Sequence, residues 1–161
     1  VNRFDWSDEI IEQVKAILVR DLPAMLALIQ ADRADDLELD APAPDNIWTA
    51  DKVVPPSFPS IEIWGPDSAR IHPDILHFQH RMAAVLTVVG SDEEVIDKQL
   101  RRTLLGILLV LDNQPLAADG VAAVIRCGIV NYTTVGTRQQ DAGAPWVRSG
   151  SVEFVADTIN D

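Results

Sequence analysis

Fifteen residues, Leu76 to Gly90, alternate in character at nearly every step, and no other feature narrows the fold of this chain as much. Phe78, His80, Met82, Ala84, Leu86 and Val88 fall on one side of an extended backbone, while His77, Gln79, Arg81 and Thr87 fall mostly on the other. A period of two with one apolar side and one wet side belongs to a strand of an antiparallel sheet that is covered on a single face. The chain must then supply something apolar to cover it.

The next residues do so. Ser91-Asp92-Glu93-Glu94 spells a capping box, with Ser91 as the cap and Glu94 reaching back. Beyond it Ile96, Leu100, Leu104, Ile107, Leu108 and Leu111 form a stripe at helical spacing. Glu94 with Lys98, and Asp97 with Arg101, stand four residues apart, the spacing of helical ion pairs. Gly106 costs ~1 kcal/mol against alanine inside a helix, which points to a close approach of this helix to the sheet. Asn113-Gln114-Pro115 ends the element.

An earlier helix is also expected. Ser7 can cap it, Asp8 and Glu9 suit its first turn, and an apolar stripe runs through Ile10, Val14, Ile17 and Leu18 to Leu22, Met25, Leu28 and Ile29. Pro23 predicts a kink or break near Arg20–Leu22. Residues 32–58 read as an irregular acidic and Pro-rich loop with two exposed-looking aromatics, Trp48 and Phe58. Ser60 to Trp64 is a short strand stopped by Gly65-Pro66-Asp67. Val121 to Thr137 and Trp146 to Ile159 read as two more strands, with Arg138 to Pro145 as a hairpin connection. The expectation is an α+β fold: a mostly antiparallel four-stranded sheet, an N-terminal helix, and a second helix between strand pairs, both packed on the sheet. A length of 161 residues fits one domain, 1–161.

Charge removes several functions. Twenty-five acidic residues against thirteen basic ones leave a formal charge of -12, so nonspecific nucleic-acid binding is excluded as the main task. Standing beside DNA without holding it is not excluded. The densest acidic run, Asp32, Asp35, Asp36, Glu38, Asp40 and Asp45, is a solvated loop surface or one that repels a polyanion. The longest apolar run, Leu104 to Leu111, is far short of the ~20 residues of a membrane span, and the first residues lack the apolar core of a signal peptide. A reducing cytoplasm is the expected compartment.

Chemistry-bearing patterns are scarce. The single cysteine, Cys127, rules out an intrachain disulfide framework and a multi-cysteine zinc site. His72, His77 and His80 invite a metal reading, with Asp67 and Asp74 nearby, but a strand sends His77 and His80 to opposite faces. His72-Pro73-Asp74 reads as a turn. The serines lack a nucleophile-elbow pattern and the glycines form no phosphate-binding loop. No catalytic residue, metal or cofactor is expected.

The unit from Leu76 to Thr134 does have a recognisable order. The long strand from Phe78 to Gly90 runs into the capped acidic start Ser91-Asp92-Glu93-Glu94. The arginine-bearing helix Leu100-Arg101-Arg102-Thr103-Leu104-Leu105 then leads through Asp112 to Leu116 and another long strand. Preceded by Phe58-Pro59-Ser60-Ile61-Glu62-Ile63 and an N-terminal helix, this resembles the tail-terminator (tail-completion) proteins of long-tailed bacteriophages. The resemblance implies an α+β subunit of a hexameric ring that caps the head-proximal end of the tail tube, stops its growth and meets the head connector or head-completion protein. DNA would be a passing occupant of an acidic lumen and not a ligand. The place implied is the virion tail or neck, assembled in the host cytoplasm, with no active site and no membrane partner. Trp48, Phe58 and Trp146, each in or beside a loop, are the candidate anchors for contacts between subunits or with the tube. Another head–tail joining or minor tail protein, and a small metal-dependent enzyme using His72, His77 and His80, remain the alternatives.

Overall fold

The alternating stretch forms a strand, and the other elements are arranged around it. The computed structural model describes residues 7–49, 57–71, 76–118, 121–131 and 143–160. Along the chain the elements are α1 (Ser7–Arg33), a 3-10 turn (Pro44–Asn46), β1 (Ile47–Trp48), β2 (Ser60–Arg70), β3 (Leu76–Gly90), α2 (Glu93–Leu111), β4 (Pro115–Ala118), β5 (Val121–Asn131) and β6 (Trp146–Asn160). The sheet has six strands in the order β1-β2-β3-β6-β5-β4. β3 pairs antiparallel with β6 from Leu76↔Asn160 to Gly90↔Trp146, and with β2 on its other side. β1 pairs parallel with β2, which makes the sheet mixed.

The fold is α+β, but two strands were not foreseen. β1 has two residues and β4 four, too few for a period to appear. Another difference lies in β2. Gly65-Pro66-Asp67 does not stop it: pairing with β3 shifts between Trp64 and Asp67 and resumes from Asp67↔Arg81 to Arg70↔Phe78. The segment is a bulge. Gly65 has φ +100°, and a Cβ there would lie 2.6 Å from the Arg81 carbonyl oxygen, so the bend has room only for glycine.

One face of the sheet is covered. Ile61 and Ile63 of β2, Met82, Ala84, Leu86 and Val88 of β3, and Val152, Phe154 and Ala156 of β6 are buried in a single cluster with both helices. α2 contributes Ile96, Leu100, Leu104, Ile107 and Leu111, and α1 contributes Ile10, Val14, Ile17, Leu18, Leu22, Leu26 and Ile29. Leu28, expected on that stripe, is 65% exposed, and Leu26, one turn after Leu22, takes its place. α1 continues through Pro23 instead of breaking. Pro23 is exposed, so the Val19 carbonyl that loses its helical partner lies on the side water can reach.

Two further corrections concern α2. Its cap is Asp92 and not Ser91: the Asp92 carboxylate accepts from the Glu94 and Val95 amides at 3.0 and 3.2 Å. Glu94 pairs with Lys98 at 2.6 Å and does not reach back. Asp92→Ala is therefore expected to cost about 1 kcal/mol, and Ser91→Ala close to nothing, in urea titrations followed by circular dichroism. Equal losses would restore Ser91 as the cap. Gly106, in turn, faces α1 and not the sheet: a Cβ there would lie 2.8 Å from Leu26 Cδ2 and 3.3 Å from Leu22 Cδ1.

The acidic stretch after α1 is ordered over its described part. Ala34 turns into the left-handed region at φ 48° and ends the helix. Arg102 then grips Asp35 through two hydrogen bonds of 2.7 and 2.5 Å, Gln99 donates to the Glu38 carbonyl, and Gln30 accepts from the Leu39 amide. These contacts lay residues 34–39 along the helical layer.

Candidate functional site

Both helices lie on one face of the sheet, and on the other face Trp64, Arg81, Arg126 and Glu153 are exposed. Alternation puts Trp64 of β2, Gln79, Arg81 and Ala83 of β3, Glu153 and Val155 of β6, and Arg126 of β5 there. Register sets them in rows: Trp64↔Ala83↔Glu153, and Asp67↔Arg81↔Val155↔Arg126. The sheet curls, and these rows line a groove of about 720 Å3. Trp64 is 57% exposed at its edge. Arg81 donates to Gln79 Oε1 at 3.3 Å, and neither Arg81 nor Arg126 forms an ion pair among the described residues. Sequence reading did not single out this site. Its one local signal was Trp64, which alternation places opposite the buried Ile61 and Ile63.

The residues that were singled out are scattered. Trp48 is buried, not exposed, because β1 docks onto β2 beneath α1. Trp146 is half-buried under the Arg148 guanidinium, 5.1 Å from its ring. Phe58 alone of the three is exposed, at 44%, beside a cleft of about 130 Å3 shared with Leu39, Asp40, Gln99 and Thr103. Asp32, Asp35, Asp36, Glu38, Asp40 and Asp45 are all exposed. The Arg102 guanidinium lowers the Asp35 pKa to about 2. A depressed carboxylate stabilises the fold above its unfolded pKa, so this contribution is present at neutral pH and is lost as pH falls through about 2.

Arg148 makes the most buried charged contact described. It is 7% exposed, donates from Nε to Asp97 at 3.1 Å, and pairs with Glu93 through its terminal nitrogen. The start of β6 is thereby clamped to the first turns of α2. Asp97, expected to pair with Arg101, is used here instead.

The histidines do not converge. His77 Nε2 lies 3.7 Å from Asp157. His80 is buried between Ser68 Oγ, 2.7 Å from Nδ1, and Thr158 Oγ1, 3.0 Å from Nε2. His72 and Asp74 lie outside the described residues, among which no group of three or more His, Cys, Asp or Glu is placed to hold a metal. No described helix is long and apolar enough to cross a membrane.

Cys127 sits on β5, half-buried, with its thiol pushed up to about 12 by burial and by the Asp112 carboxylate. At pH 8 its thiolate is scarce, so reaction with an aromatic disulfide reagent should run at least about tenfold slower than for an exposed cysteine, the greater nucleophilicity of a high-pKa thiolate offsetting part of the loss. A rate like that of free cysteine would show that β5 opens readily at this point.

In comparisons with known proteins, no family model and no curated sequence matches the chain.

Proposed function

We propose that the chain is a structural virion protein, a ring-forming tail terminator that caps the head-proximal end of a phage tail tube. It stops tube growth and joins the tube to the head connector while DNA passes through. The observation that carries the reading is the one-sided cover of the sheet: both helices lie on one face, and the other holds an open groove with an exposed tryptophan. Subunits of a closed ring need such faces, since each must give one surface to the neighbour ahead and another to the neighbour behind. The α+β architecture agrees with the subunit implied by the order of elements in the sequence. The charge of -12 suits a ring around DNA, because an acidic wall lets a polyanion slide where a basic one would hold it.

The partners of this reading are copies of the chain, the tail tube protein and a head-completion protein. The test is a growth assay. Tube protein polymerising in the presence of the chain should give shorter tubes as the chain is added, and finished tubes incubated with it should no longer elongate at one end. Tube lengths unaffected by a large molar excess would remove the reading.

A further inference from the structure

The covered side of the sheet carries a polar chain that links three strands. His80 of β3 is 4% exposed, its Nδ1 lies 2.7 Å from Ser68 Oγ of β2, and its Nε2 lies 3.0 Å from Thr158 Oγ1 of β6. Thr158 is fully buried, whereas Ser68 is exposed. The Phe78 side chain stacks on the imidazole, with 6.4 Å between centroids, and together with the two hydroxyls it fixes the imidazole plane. A buried imidazole and a buried hydroxyl must each be hydrogen-bonded, an obligation that valine or leucine in the same places avoids. Ser68, being exposed, has water for a partner and does not need the imidazole. The sheet nonetheless sets a solvent-facing hydroxyl against a base, and the base against a third group that orients it. That is the arrangement by which a serine is made nucleophilic.

We propose that Ser68 is a nucleophile activated by His80, with small activated carboxylic esters as its substrate class and Thr158 as a positioning residue. The imidazole proton sits on Nε2 and is donated to Thr158 Oγ1, so Nδ1 accepts from the Ser68 hydroxyl. Ser68 Oγ attacks the ester carbonyl carbon and forms the new C–O bond while its proton passes to Nδ1. That proton goes to the alcohol as the bond from carbonyl carbon to alcohol oxygen breaks, which leaves Ser68 acylated. Water then attacks the acyl carbon, gives its proton to Nδ1, and the proton returns to Ser68 Oγ as the acid departs. The developing oxyanion has a donor beside it. The Ile71 amide donates to the His77 carbonyl at 2.8 Å, and alternation along the unshifted register from Asp67↔Arg81 to Arg70↔Phe78 turns the Ser68 amide to the outer edge of β2. β1 pairs with β2 at Ile61 and Glu62 alone, so among the described strands none takes that amide, and it is placed to donate to the oxyanion. Of the charged and titratable residues beside His80 on β2, β3 and β6, Arg70 shares its side of the sheet, while Asp67, His77, Arg81 and Asp157 lie on the other. This activity is separate from the ring-forming reading and does not depend on it.

Labelling of the full chain with a fluorophosphonate probe, mapped by mass spectrometry, tests it. Ser68 should react at least about tenfold faster than Ser91, an exposed serine with no histidine beside it. Ser68→Ala should remove that label, and His80→Gln should slow it by about tenfold or more. Between about pH 5 and 9 the rate at Ser68 should rise and then level off as the imidazole loses its proton, where an unassisted hydroxyl would go on rising with hydroxide. Thr158→Val should slow labelling and displace that profile, a readout that a purely structural threonine would not move. With an aryl acetate, the chain should release a burst of about one aryl alcohol per Ser68 and carry an acetyl group there. Circular dichroism checks that each variant is folded. If His80→Gln is not, the pH profile and the Ser91 comparison on the unaltered chain decide alone. Equal labelling of Ser68 and Ser91, a rate at Ser68 that never levels off, or a folded His80→Gln variant labelled as fast as the unaltered chain would overturn the proposal and leave the ring reading standing.

Discussion

Phe154→Ala is expected to lower stability by about 4 kcal/mol, the largest loss of any single truncation considered for this chain. Phe154 is 1% exposed and is the largest of the fully buried side chains among the described residues. It sits on β6 between Met82 of β3 and Cys127 of β5, under the helical layer. Removing the ring forfeits its transfer from water and leaves a cavity that three paired strands cannot collapse to fill. For a domain of this size the thermal midpoint should fall by about 10 °C. Leu109→Ala is the matched control: Leu109 is 47% exposed on the outer side of α2, and its loss should stay within about 0.5 kcal/mol. Thermal unfolding of the two variants checks both. A small effect at Phe154 would mean that α2 does not rest on this part of the sheet.

Gly106→Leu is expected to cost about 3 kcal/mol, by crowding where Phe154→Ala acts by emptying. A Cβ at this position already meets Leu26 Cδ2 at 2.8 Å, with Leu22 Cδ1 at 3.3 Å and Ile29 Cδ1 at 3.5 Å behind it. A leucine would have to push α1 away from α2. Gly106→Ala is a milder probe, since about 1 kcal/mol of helix propensity is gained against a shift of the Leu26 tip, and it should stay within about 1 kcal/mol of the unaltered chain. Denaturant midpoints for the pair measure how closely the helices approach. A leucine variant as stable as the alanine one would show that the two helices are free to separate here.

Gly106 also shows what the sequence can carry. Its presence in a strong helical stripe signals a close approach, but a period names a face and not its neighbour, so α1 was missed as the partner. β3 was legible because alternation over its whole length has one physical solution. The cap slipped by one residue because Ser91 and Asp92 can both accept from the first amides, and local sequence does not rank them. Gly65-Pro66-Asp67 has the chemistry of a turn, yet pairing with β3 on both sides of the bulge carries β2 through it. Trp48 looked exposed in a proline-rich run until β1 found an edge to join. Arg81 and Arg126 lie on strands far apart in the chain, so their common row exists only in the register of the folded sheet. The later part of the expected strand to Thr137 and the start of its connection to β6 lie outside the described residues.

The ring-forming reading makes one demand that no stability measurement can meet. A tube that grows by stacking identical rings offers the same surface at its growing end after every addition. Stopping it takes a subunit that matches that end on one face and lacks it on the other. The most direct measurement is to add fluorescently or gold-labelled protein to purified tail tubes and image them by electron microscopy. Label should sit at one end of each tube, as a single ring, and tube protein added afterwards should not extend that end. Label along the tube walls, at both ends alike, or nowhere at any salt concentration would contradict the account.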